Sequence, residues 1–144
     1  MLRAFREDDL SEVMQIWFHA NLEAHPFVPE AYWRAHFDEV AALIPQAEVT
    51  VCEEAGSLQG FIGVSGTYIA GLFVCQQARG QGIGKRLLDA VKAEKSSLTL
   101  HVYEKNERAV RFYRREGFTV RTAEREESTG EPEFCMEWAR PTAK

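Results

Sequence analysis

The chain has 144 residues, 45% of them hydrophobic and 27% charged, a composition that predicts one folded domain over 1–144 and excludes disordered, collagen-like and disulfide-scaffold chains. Seventeen Lys and Arg against 22 Asp and Glu give a net charge of −5, which argues against a nucleic-acid binder with a broad basic face, so an anionic ligand needs a local site. The longest apolar run, Ile69 to Cys75, falls far short of the ~18 residues of a membrane span, and Glu7, Asp8, Asp9 and Glu12 spoil a signal peptide, so the expected setting is cytoplasmic with no membrane partner.

Asp9, with Glu12 three residues on, reads as the N-cap of a capping box. Leu10, Val13, Met14, Trp17, Phe18 and Leu22 then recur at helical spacing to about Glu23, which makes Trp17 and Phe18 core residues. His25-Pro26-Phe27-Val28-Pro29 breaks the pattern before Trp33, Phe37, Val40 and Ile44 resume it up to Pro45. Val49 and Val51 alternate with Glu48, Thr50 and Cys52, and Glu54-Ala55-Gly56-Ser57 turns the chain into Leu58–Val64, a β-hairpin. Tyr68–Cys75 is almost wholly apolar, as in a central strand buried on both faces.

A glycine-rich loop, Arg79-Gly80-Gln81-Gly82-Ile83-Gly84, leads into a helix with Ile83, Leu87, Leu88 and Val91 on one side, ending near Lys95. Leu98, Leu100 and Val102 mark the next strand, and so short a strand–helix–strand unit implies parallel pairing. Asn106 suits an N-cap, and Gly117 suits the left-handed residue that ends the following helix, with Phe118 folding back onto it. Phe118, Val120 and Thr122, then Phe134, Met136 and Trp138, form two strands about a Ser128-Thr129-Gly130 turn. The fold class is α+β, with a mixed, mainly antiparallel sheet and about four helices. Cys52, Cys75 and Cys135 are odd in number and widely spaced; they read as reduced fillers, and no metal site is indicated.

The loop between strand and helix offers backbone N–H groups and a helix dipole to phosphate oxygens. It fails as a dinucleotide fingerprint, because Gly80, Gly82 and Gly84 give G-x-G-x-G, and it fails as a P-loop for want of a glycine at Arg79 and a hydroxyl at Arg86. What remains is Arg79-x-x-Gly82-x-Gly84 after an apolar strand. Downstream stand Asn106, a short helix, Phe112-Tyr113 and Gly117-Phe118.

These two motifs and the order of elements resemble the GCN5-related N-acetyltransferase (GNAT) family. His25-Pro26-Phe27, Tyr32-Trp33 and Tyr103-Glu104-Lys105-Asn106 are similar to the small bacterial YiaC-like group within it. The resemblance implies a sheet splayed at a parallel strand pair and acetyl-CoA as donor. Backbone N–H groups from Arg79 through Gly80, Gln81, Gly82, Ile83 and Gly84 would bind its pyrophosphate, with Lys85 adding charge. Leu72, Phe73 and Val74 would lie along the pantetheine arm, with Asn106 bonding that arm, capping its helix, or both. A backbone N–H near Val74 would meet the oxyanion. Trp17, Asn21, His25, Phe27, Tyr32 and Trp33 would border the acceptor channel, although Trp17 and Trp33 read first as core.

Acetyl transfer to an amine requires removal of a proton from an ammonium of pKa about 10.4 and protonation of the leaving thiolate. By resemblance Tyr113 is the acid. His101 stands twelve residues earlier, where several members carry a glutamate base, and reads either as that base or as a strand histidine with one structural hydrogen bond. His19 and His25 are further candidates; His36 is expected on a solvated helix face, Glu104 at a solvated strand end, and Arg114-Arg115-Glu116 in solvent. Cys75 follows the central strand with no neighbouring histidine to activate it. The expected activity is N-acetylation of a primary amine, on a protein lysine or a small molecule, by direct attack; the competing reading is an acyl-CoA sensor without turnover.

Overall fold

The hydrophobic period changes from helical to alternating near Glu48, and there the chain passes from helix to sheet. The computed structural model describes residues 1–141. A short strand, β1 (Leu2–Ala4), precedes two helices, α1 (Leu10–Ala24) and α2 (Glu30–Leu43). The sheet continues with β2 (Glu48–Glu54), β3 (Ser57–Ser65) and β4 (Tyr68–Val74). Helix α3 (Ile83–Lys92) leads to β5 (Ser97–Tyr103), and helix α4 (Glu107–Arg115) to β6 (Thr119–Arg125) and β7 (Pro132–Ala139). Among the described residues seven strands lie in the order β1-β2-β3-β4-β5-β7-β6, and only β4 and β5 pair in parallel.

The sheet separates two cores. On one face Leu87, Leu88 and Val91 of α3 and Tyr113 of α4 pack with Ile62, Leu98, Leu100 and Met136. On the other, Val13, Trp17 and Phe18 of α1 and Trp33 of α2 pack with Val51, Phe61 and Tyr103. Trp17 meets Trp33 and Phe37 edge to face at 6.0 and 6.1 Å, so both indoles belong to the core as their spacing predicts.

Strand β4 departs from the sequence expectation. Its neighbours flank it on both sides, yet Gly71–Val74 are only half-buried because a groove opens along them. The β3–β4 register passes from Gly63 opposite Gly71 to Val64 opposite Ile69, which leaves Ala70 as an extra, bulged residue. One extra residue reverses the alternation of faces. Ile69, Leu72 and Val74 therefore share the α3–α4 core, while Phe73 turns to the α1–α2 core.

The capping box read at Asp9 and Glu12 is not formed. Asp9 ends a 3-10 turn ahead of α1, and its carboxylate accepts two N–H bonds from Arg3, at 2.8 and 2.9 Å, and the N–H of Arg6 at 2.8 Å. Glu12 instead accepts the N–H of Leu58 on β3 at 2.8 Å. Arg3 also reaches Glu53 on β2 at 2.8 Å, so one guanidinium ties the first strand, the second strand and the entry to α1. Tertiary partners, a guanidinium for Asp9 and a backbone N–H for Glu12, took both acids away from the cap of α1.

Hydrogen bonds from Arg3 hold the Asp9 carboxyl below its usual range. A depressed carboxyl stabilises the fold above its unfolded pKa, near 3.9, and that stability is lost as pH falls through the folded value. Asp9→Asn should lower the Tm at pH 7 by about 5 °C, followed by circular dichroism, and the gap from the natural protein should narrow below pH ~4 as its own Asp9 protonates.

Candidate active site

A groove of about 1150 Å³ runs between the end of α1 and the loop after it on one side and α4 on the other. Its floor is Leu72, Phe73 and Val74, and its end is the glycine loop with the start of α3. The floor exists because β4 and β5 pair only through Tyr68 with Thr99 and Ile69 with Leu100. Beyond Ile69 the side of β4 facing β5 has no ladder partner, so backbone amide and carbonyl groups are left to meet a ligand.

The loop end is built for anions. Gly80 and Gly82 have φ of +80° and +74°, and Gly82 is the N-cap of α3. Arg86 N–H makes the first helical bond, to Gly82 O at 3.0 Å, so the N–H groups of Ile83, Gly84 and Lys85 have no intrahelical acceptor. A Cβ at Gly82 would meet nothing within 4 Å, so the backbone stands open to the groove. Six cationic side chains line the groove, Arg79, Lys85, Lys105, Arg108, Arg111 and Arg115, against three acidic ones, Glu23, Glu107 and Glu116. An acidic chain thus carries a locally basic cleft, as an anionic ligand requires.

Several of these charges are already paired. Arg79 binds Glu23 at the end of α1. Lys85 reaches Glu116 at 3.1 Å and Asp89 at 3.3 Å, contacts that raise its pKa. Glu116 is therefore a well-covered partner of Lys85 and Lys92, not the solvent-facing charge read from Arg114-Arg115-Glu116. Arg108, Arg111 and Arg115 were not read as site residues, although their spacing of three and four puts them on one helix face.

Tyr113 lies on the α4 wall, edge to face with Phe112 at 5.2 Å and with Phe118 at 5.4 Å. Burial pushes its phenol well above the ordinary range, so it holds its proton. Asn106 caps α4 by accepting the N–H of Ala109 at 3.3 Å, and Gly117, at φ +95°, closes the helix as its position predicts. Asn106 Nδ2 also lies 3.2 Å from His25 Nε2. The His25 ring stacks on Trp33 at 5.4 Å with Phe27 and Tyr103 at its edges, and burial pulls its pKa down to about 4.

The groove gathers Leu72, Phe73, Val74, Arg79, Gly80, Gly82, Ile83, Gly84, Lys85, Asn106 and Tyr113; Gln81 is exposed and does not line it. His101 is elsewhere. It shares the α1–α2 face of the sheet with Tyr103, exposed, at the first position of β5 beyond the parallel pairing, and its Nδ1 lies 2.9 Å from Tyr68 Oη. His36 is half-buried with Nδ1 2.8 Å from Tyr32 O, a correction to its solvated reading. Cys75 gives its thiol to Gln59 Oε1, and Glu104 is exposed as expected. Among the described residues no three His, Cys, Asp or Glu side chains are grouped to hold a metal, and no helix is long and apolar enough to cross a membrane.

The arrangement fits a long ligand with an anionic end and an amide-bearing arm, and comparison with known proteins agrees. The family model of the acetyltransferase (GNAT) domain matches residues 19–139. YiaC of Escherichia coli, named a peptidyl-lysine N-acetyltransferase, is 33% identical over 140 residues, 96% of each chain. YjaB of the same organism, also named a peptidyl-lysine N-acetyltransferase, is 30% identical over 132 residues, covering 91% of this chain and 90% of that protein. The solution structure of apo YjaB superposes with a TM-score of 0.85 at 27% identity, covering 98% of each chain. The chain belongs to the GNAT acetyltransferase family, and its donor substrate is acetyl-CoA.

A glutamate at Gly82 would strain a left-handed position and put a carboxylate into the open space over the helix N-terminus. Gly82→Glu should weaken acetyl-CoA binding at least about 30-fold in isothermal titration, taking roughly 2 kcal/mol as the loss of the charge-assisted contacts.

Proposed function

From membership of the GNAT family we propose that this chain, as one acetyltransferase domain over 1–144, acetylates lysine side chains of proteins in the cytoplasm by direct attack of the amine. The observation that carries the proposal is the meeting, in one groove, of the open α3 N-terminus, the unpaired edge of β4 and a buried tyrosine that keeps its proton. Acetyl-CoA supplies the activated acyl carbonyl. In this reading the backbone N–H groups from Arg79 to Lys85 hold its pyrophosphate, and the free edge of Leu72–Val74 holds the amides of its arm, beside Asn106. The names of YiaC and YjaB support lysine as acceptor, and the acidic surplus of the chain favours a cationic partner.

Tyr113 Oη donates a hydrogen bond to the leaving sulfur. A phenol held above its ordinary pKa is a weak acid, so it acts by hydrogen bonding as negative charge grows there. His101 takes the amine's proton on the opposite face of the sheet, where β5 parts from β4. With Nδ1–H donated to Tyr68 Oη, Nε2 carries the lone pair that the task needs.

Incubation with acetyl-CoA and a mixed set of lysine peptides and small amines, read by intact mass, tests the acceptor class: acetyl gain confined to small amines would refute the lysine assignment. Tyr113→Phe should lower kcat about 100-fold while the KM for acetyl-CoA stays within about twofold. His101→Ala should lower kcat about 100-fold while the KM for acetyl-CoA stays within about twofold. Equal rates for the two proteins would remove His101 from the chemistry.

A further inference from the structure

The loop between α1 and α2 sets one imidazole against the opposite wall of the groove. His25 and Asn106 both line the groove, 81 residues apart in sequence and joined by the 3.2 Å contact of Nε2 and Nδ2. The direction of that bond follows from α4. Asn106 Oδ1 accepts the Ala109 N–H, and the reversed amide would set its NH2 against that donor. Nδ2 therefore faces His25, and a bond between them requires a lone pair on Nε2. The imidazole proton then sits on Nδ1, which is buried without a full hydrogen bond, the nearby Asn21 carbonyl giving partial compensation.

A box formed by Trp33, Phe27 and Tyr103 would take a phenyl ring with no orphaned nitrogen. It holds instead a ring whose one satisfied nitrogen reaches a groove residue. We infer that His25 is a positioning residue for acetyl-CoA binding: by accepting from Asn106 it locks the orientation of that amide and joins the two walls of the groove. One Nδ2 hydrogen is spent on His25, and the second is held at a fixed angle for the donor substrate. The inference rests on the acetyltransferase reading and adds to it a residue outside both family motifs.

His25→Phe fills the box and removes only the acceptor. It should fold with an unchanged Tm, raise the Kd and KM for acetyl-CoA about fivefold, and leave kcat at saturation within about twofold. His25→Gln, whose Oε1 can accept from Asn106, should bring the Kd back to within about twofold of the natural value. In the double variant with Asn106→Ala, His25→Phe should add no further loss. A readout free of substrate is the imidazole 15N signature of the apo protein at neutral pH, with Nε2 bare and Nδ1 protonated, a preference that Asn106→Ala should abolish. Natural affinity in His25→Phe, additive losses in the double variant, or a proton on Nε2 would each overturn the inference. Failure of the natural protein to bind acetyl-CoA would instead bring down the acetyltransferase reading, and the 15N signature would still decide whether His25 orients Asn106.

Discussion

Among the described residues the ladder between β4 and β5 has two residue pairs, Tyr68 with Thr99 and Ile69 with Leu100. Continued pairing would have satisfied the backbone of Leu72–Val74 within the sheet and closed the space above it. The bulge at Ala70 lies where pairing ends, and bulges increase local twist, which carries β4 away from its neighbour. The same extra residue sends Phe73 into the α1–α2 core and Leu72 and Val74 toward the other, so the strand is anchored on both faces while one edge is unpaired. The groove is thus an interruption of the ladder between two central strands.

Charge is distributed on the same plan. Arg79 and Lys85, closest in sequence to the loop, are tied down by Glu23 and by Glu116 with Asp89. Arg108 and Arg115 on α4 have no carboxylate within salt-bridge distance among the described residues. The paired cations order the loop and the walls, while the unpaired ones leave a positive field at the cleft of a chain whose net charge is −5. Such a field attracts a polyanion over about a Debye length, roughly 8 Å at physiological salt.

Most elements were legible because their signals are local. Helical spacing in α1 and α3, alternation in β2, β5 and β7, the cap at Asn106 and the left-handed Gly117 each rest on residues within a turn or two. The glycine loop was legible for the same reason, since Gly82 needs its positive φ whatever surrounds it. The misreadings arose where a distant partner intervened. Asp9 and Glu12 suit a local cap, but Arg3 and the Leu58 N–H, brought near by the sheet, took them. Glu116 looks like a surface charge until α3 folds Lys85 against it. The contact of His25 with Asn106 had no sequence signal, whereas the arginine face of α4 had one in its spacing.

The separation of the two cores by the sheet bears on how such a chain can diversify. Substitutions in groups that share no contacts add nearly independently, so side chains of the α1–α2 layer that stand away from the groove can be exchanged without transmitting strain to the layer that packs α3 and its glycine loop. A lineage can therefore keep one donor site and vary the opposite surface at little cost in stability. Coupling runs through the places where the layers meet: Cys75, which borders both cores, the β4 residues whose faces alternate across them, and the contacts of Glu23 with Arg79 and of His25 with Asn106. Drift in the α1–α2 layer should be slowest at its contacts with these residues.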